Sequence, residues 1–173
     1  MRAQLLFIRA VVIGLAGCLS GCAGYRLGPT SGVVAREKSV LVYPFANQTL
    51  QPRLTDAVTS QLRKELQRDG TYQLSSNGEA DIIVNGNLTR YQRQEVTLAP
   101  TDVLRVRDYR VVLTAEVHAR ERNTGKVLLN QQVMGYTLIR VGADLPSAER
   151  QAMPLLADDL AKNITALLVE GKW

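Results

Sequence analysis

Arg105-Val106-Arg107-Asp108-Tyr109-Arg110-Val111-Val112-Leu113-Thr114-Ala115-Glu116-Val117-His118-Ala119-Arg120-Glu121 decides how this chain folds. Tyr109, Val111, Leu113, Ala115, Val117 and Ala119 alternate with Arg110, Val112, Thr114, Glu116, His118 and Arg120. A period of two, apolar on one side and mostly polar on the other, is the pattern of a half-buried strand. Asn123-Thr124-Gly125 follows, a hairpin turn with glycine available for a positive φ. Lys126 to Val141 returns as a second strand, with Val127, Leu129, Val133 and Ile139 predicted to share a face. On the other side, Ala99-Pro100-Thr101-Asp102 turns the chain back to Asp81 to about Leu98. There Ile82, Val84, Gly86, Leu88 and Arg90 are predicted on one face, and Ile83, Asn85, Asn87, Thr89 and Tyr91 on the other. Three strands joined by short turns form an antiparallel meander.

The flanks supply what covers it. Ser39-Val40-Leu41-Val42-Tyr43-Pro44-Phe45 is a nearly continuous apolar run, hence a covered strand, and Pro44 ends its ladder. Pro52 to Arg68 carries Leu54, Val58, Leu62 and Leu66 at helical spacing, stopped by Gly70. Tyr72-Gln73-Leu74 is a candidate short strand. Leu145 to Val169 is a second helix with Met153, Leu156, Leu160, Ile164 and Leu167 as its stripe. Pro154 is tolerated only in a first turn, which puts the regular part from about Ala152. The predicted fold is α+β: a two-layer sandwich in the order β-α-β-β-β-α, a four-stranded mixed sheet with both helices on one face. The other face is expected to be polar and uncovered.

The N-terminus reads as an export segment. Arg2 and Arg9 precede an uncharged run from Ala10 to Leu19, about half the length of a spanning helix. Leu19-Ser20-Gly21-Cys22 then fits a lipoprotein processing site, with the Cys22 thiol as the acceptor of a diacylglycerol. Leu15-Ala16-Gly17-Cys18 fits the same pattern, but leaves a shorter apolar run after Arg9. The expected organisation is a signal peptide over 1–21, a lipidated N-terminus and tether over 22–38, and one domain over 39–173. Two or more acyl chains on Cys22 give stable membrane anchoring.

Composition narrows the chemistry. The chain has 173 residues with 21 basic against 16 acidic; losing 21 residues, two of them arginine, leaves 152 residues at +3. That charge is too mild to argue for nucleic acid, and the length suits one domain. Both cysteines lie in the export segment, so the domain has neither a disulfide nor a thiolate metal site. His118 is the single histidine, which excludes a multi-histidine metal site. It sits beside Glu116, but no nucleophile elbow or thiol accompanies it, and a surface histidine is the simpler reading. Adjacent Asp158 and Asp159 point about 100° apart on a helix, as on a solvated face. No metal or cofactor and no catalytic group is expected.

Cys22 followed by Gly24-Tyr25-Arg26-Leu27, then the strand ending Pro44-Phe45-Ala46-Asn47-Gln48-Thr49, then Asp81-Ile82-Ile83-Val84-Asn85-Gly86, resembles the lipopolysaccharide-assembly lipoprotein family LptE. The element order matches along the whole mature chain. A strand ending in Pro-Phe-x-Asn also recurs in other outer-membrane lipoproteins, including curli-secretion pore subunits. The resemblance implies a non-enzymatic, palmitate-bearing lipoprotein of the Gram-negative outer membrane. With Ala23 rather than Asp after the cysteine, it implies outer-membrane sorting on the periplasmic side. It implies two partners, a large β-barrel translocon of the LptD kind, which such proteins plug and help assemble, and lipopolysaccharide itself. The alternative is a curli-type secretion-pore component.

Arg90, Arg93, Arg105, Arg107 and Arg110 bracket the turn at Ala99 to Asp102 and are the candidate lipopolysaccharide-binding set. Guanidinium groups match phosphate geometry with paired hydrogen bonds, and lipid A carries phosphates. Glu95, Asp102 and Asp108 intervene and are the groups that would neutralise such a patch.

Overall fold

The computed structural model describes residues 36–96, 108–140 and 144–170. The elements are β1 (Ser39–Val42), β2 (Ala46–Asn47), α1 (Leu54–Asp69), β3 (Gln73–Leu74), β4 (Ile82–Glu95), β5 (Asp108–Glu121), β6 (Val127–Arg140) and α2 (Leu145–Glu170). The sheet has six strands rather than the predicted four, in the order β3-β1-β4-β5-β6, with β2 beside β4. The two extra strands are two residues each: β3 falls on the candidate strand Tyr72-Gln73-Leu74, and β2 is too short for any periodicity to register. β4, β5 and β6 are antiparallel, as their hairpin pattern requires, whereas β1 runs parallel to both β3 and β4. Parallel neighbours need a crossover, and α1 provides the one from β1 to β3.

The chain around Pro44 shows how one residue shapes the layer. β1 stops at Val42, short of the predicted Phe45, and the backbone steps sideways to pair Ala46–Asn47 with Asn87–Leu88 farther along β4. Phe45 turns into the core instead, its N–H donating to Thr59 Oγ1 at 3.2 Å. Its ring lies over Gly86, where a Cβ would sit 2.5 Å from Phe45 Cε1. Only a glycine leaves room there.

Both helices lie on one sheet face. Leu54, Val58, Leu62 and Leu66 of α1 and Ala152, Leu156, Leu160, Ile164 and Leu168 of α2 join Val40, Val42, Val84, Leu113 and Val117 in one buried cluster. Gly70, at φ 76, ends α1, with its N–H on the Leu66 carbonyl at 3.2 Å. α2 starts at Leu145, not near Ala152, with Pro154 inside it. Asp144 makes the earlier start possible, because its carboxylate accepts the Ser147 N–H and hydroxyl. These bonds hold the Asp144 carboxyl below its ordinary range. Pro154 leaves the Arg150 carbonyl without its helical donor.

α2 also reaches past the face to the free edge. Gly135 of β6 touches the backbone of Leu160, where a Cβ would lie 2.5 Å from the Leu160 nitrogen. That close approach lets Asp159 accept the Tyr136 N–H at 2.8 Å and Asn163 donate to the Met134 carbonyl at 2.8 Å. Asp159 is therefore not on a solvated face as the sequence implies. Asp158 is, where it pairs with Lys162 at 2.7 Å.

At the end where the described chain begins, the Arg36 N–H bonds to the Thr71 carbonyl and Lys38 pairs with Glu121 at 2.6 Å. Ser39 donates its N–H and its hydroxyl to Asp81, which lowers the Asp81 pKa. Tyr72 closes this end by donating to the Leu168 carbonyl. Residues 1–35, including Cys18, Cys22 and most of the expected tether, lie outside the described residues. Among the described residues, no helix is long and apolar enough to cross a membrane.

Candidate functional site

The face turned away from the helices is where this sheet has side chains to spare. Cross-strand register places them in rows across β4, β5 and β6. Gln94, Arg110 and Leu138 form one row, Gln92, Val112 and Tyr136 the next, and Arg90, Thr114 and Met134 a third. Beyond them the rows become polar: Asn87, Glu116 and Gln132, then Asn85, His118 and Asn130. His118 is thus flanked across the strands by the amides of Asn85 and Asn130.

Met134, Tyr136 and Leu138 stand on successive outward positions of β6 and are 58, 55 and 60% exposed. The open face is therefore not polar throughout, as the alternation in β5 alone suggests. The signal lay in β6, which is apolar on both faces from Val133 to Ile139 although helices cover only one. Val127, expected on the covered face, is exposed because a register shift at Ala119/Arg120 turns it outward.

A second shift divides the arginines. The β4–β5 register slips between Leu88 and Arg90, so one residue, Thr89, bulges. Arg90 lands on the open face opposite Thr114, while Tyr91 and Arg93 swing to the helix side opposite Leu113 and Val111. There Arg93 pairs with the nearly buried Glu149 carboxylate at 3.1 Å, and Tyr91 donates to the same group at 3.3 Å. Burial, reinforced by Glu149, pushes the Tyr91 hydroxyl up to about 12. Arg110 stays on the open face with its guanidinium 5.3 Å from the Tyr136 ring centre, a cation–π arrangement. Arg105 and Arg107 lie outside the described residues. The structure thus joins Arg90 and Arg110 on one face and separates Arg93 from them.

Asp108, a candidate neutraliser of this cluster, is engaged by Arg140 at 3.0 Å at the outer strand edge. Among the described residues neither Arg90 nor Arg110 forms an ion pair. Two cations thus lie on the same face as an apolar column. Such a surface receives an amphiphile or a partner of mixed character, because contiguous exposed apolar area rimmed by charge marks interaction sites. No group of three His, Cys, Asp or Glu side chains able to hold a metal occurs among the described residues.

Residues 37–168 match the family model described as LptE, lipopolysaccharide-assembly. Two solved structures share the fold. A hypothetical protein from Chlamydia trachomatis aligns with TM-score 0.54 at 11% identity, covering 77% of this chain and 96% of that one. A protein from Xanthomonas campestris aligns with TM-score 0.54 at 9% identity, covering 83 and 90%. A minor lipoprotein from Acinetobacter baumannii aligns with TM-score 0.49 at 18% identity, covering 76 and 92%. Against curated protein sequences the chain has no significant match.

Proposed function

The chain belongs to the LptE lipopolysaccharide-assembly family, and from that membership we propose that it is a lipid-anchored subunit seated in the lumen of an LptD-like outer-membrane β-barrel, where its open sheet face meets lipopolysaccharide. The family is non-enzymatic, and the role is structural and binding. The observation that carries the reading is the distal half of the open face, where Met134, Tyr136 and Leu138 stand with Arg90 and Arg110. The apolar column suits acyl chains or the wall of a barrel, and the guanidinium groups suit lipid A phosphates. A helix-covered face holds the domain together while this face stays free for contact.

Replacing Arg90 and Arg110 together with Glu is expected to weaken lipopolysaccharide binding at least tenfold, since about 1.4 kcal/mol corresponds to a factor of ten. The loss should shrink as salt screens the contact. Thermal stability should barely change, because both side chains are exposed. Titration of the purified chain with lipopolysaccharide decides this, and unchanged affinity in a folded variant removes the face as its site. Affinity capture from detergent-solubilised outer membrane tests the partner. One large β-barrel supports the proposal; recovery only as a homo-oligomeric ring replaces it with a secretion-pore role.

Cys22→Ala is expected to leave a folded protein that no longer labels with palmitate, since the anchor is chemically separate from the core. Retained labelling in that variant, with loss in Cys18→Ala, moves the processing site to Cys18.

A further inference from the structure

On the helix side, away from the open face, α1 and α2 part at their N-terminal ends and leave a groove of about 590 Å³. Pro52, Arg53 and Ala57 form one wall; Pro146, Met153 and Pro154 form the other. The volume falls in the range of small-ligand sites, roughly 300–1,000 Å³. Apolar side chains dominate the walls, and the charges at the groove do not cancel. Glu149 is taken up by Arg93 and Tyr91. Arg150 donates to the Ser147 hydroxyl at 2.7 Å and helps lower the pKa of nearby Asp144, but among the described residues neither it nor Arg53 is within ion-pair distance of a carboxylate. Two guanidinium groups therefore stand over an apolar cleft. Leu50, beside the rim residue Gln51, is fully exposed. Its loop is fixed by Asn47, which donates to the Gln51 carbonyl and accepts the Thr49 N–H.

We propose that this groove binds an anionic glycerophospholipid, the phosphate between Arg53 and Arg150 and the start of an acyl chain along the proline and methionine walls. Charge complementarity selects the anion. Size selects the lipid, because a groove of this volume has room for one phosphodiester and one chain, not for a multiply acylated disaccharide bisphosphate. The site lies across the sheet from Arg90 and Arg110, so it does not depend on the proposed lipopolysaccharide contact.

Photo-crosslinking tests it. The purified full chain in a neutral detergent is mixed with phosphatidylglycerol carrying a diazirine near the head of one acyl chain, then irradiated and mapped by peptide mass spectrometry. Adducts are expected within residues 50–57 and 146–154. Unlabelled phosphatidylglycerol should compete them away; phosphatidylcholine at the same mole fraction should not. The double variant Arg53→Gly, Arg150→Gln should lower the yield about tenfold, equivalent to about 1.4 kcal/mol. Arg53 has φ 65, a conformation glycine accepts readily, so this variant removes charge without straining the helix start. The Arg90→Glu, Arg110→Glu variant should label as the parent does. Adducts elsewhere, equal competition by phosphatidylcholine, stronger competition by lipid A, or undiminished labelling of the double variant each overturn the proposal.

Discussion

Gly135→Val is expected to cost about 3 kcal/mol or more, the upper end of overpacking penalties. The side chain has nowhere to go. A Cβ at this position meets the Leu160 nitrogen at 2.5 Å and the Leu160 Cα at 2.7 Å, both backbone atoms of α2. Backbone inside a helix cannot rotate aside as a side chain does, so α2 has to lift from β6. Lifting it strips Leu156, Leu160 and Ile164 of their packing and pulls Asp159 and Asn163 from the strand edge. Gly135→Ala should already be costly, and adding Leu160→Ala should not restore stability, since the obstructing atoms remain. Urea unfolding at constant m-value measures all three. A midpoint for Gly135→Val within error of the parent would show that α2 does not sit this close.

Leu62→Ala and Leu160→Ala should each destabilise the domain by roughly 2–5 kcal/mol, the usual range for truncating a buried leucine. Both residues are fully buried in the single core, one from each helix. The cost combines lost transfer energy with the cavity left behind, and Leu160 is the less able to relax. Its helix is held against Gly135 on one side and tied to the strand edge by Asp159 and Asn163. Leu160→Ala should therefore fall at the higher end. Thermal unfolding followed by circular dichroism gives the ranking. A Leu62 variant as stable as the parent would mean that α1 packs on something other than this sheet.

The long elements were legible because each repeats its period several times. β5 alternates along its whole length, and α1 has a leucine or valine at every fourth position. Both helices covering one face followed from there being one strongly apolar face to cover. What escaped was set by single residues. Two register shifts, at Thr89 and at Ala119/Arg120, exchange the faces of everything beyond them. Strict alternation carried past Leu88 puts Arg90 under the helices and Tyr91 in solvent, the reverse of the structure. The helix start at Leu145 was legible, but its regular part begins there and not near Ala152, because Asp144 caps the first turn and Pro154 is carried inside the helix. β2 exists only through long-range pairing with β4, which no local pattern records, whereas β3 falls on the candidate strand Tyr72-Gln73-Leu74. Of the arginines, spacing grouped five residues by sequence; Glu149, some fifty residues away, decided the fate of Arg93.

The hold of α2 on β6 carries a further meaning for how the chain reaches its final state. A strand edge with free N–H and carbonyl groups is a template for another chain. Here part of that edge is masked by a helix that follows it in sequence. A chain emerging N-terminus first completes the meander before α2 is available, and during that interval β6 offers its edge together with Met134, Tyr136 and Leu138. Protection against self-association thus arrives last. Any chaperone that escorts this protein would be needed for the span of one helix, and a chain cut before Asp159 would keep its sheet sequence while losing its guard.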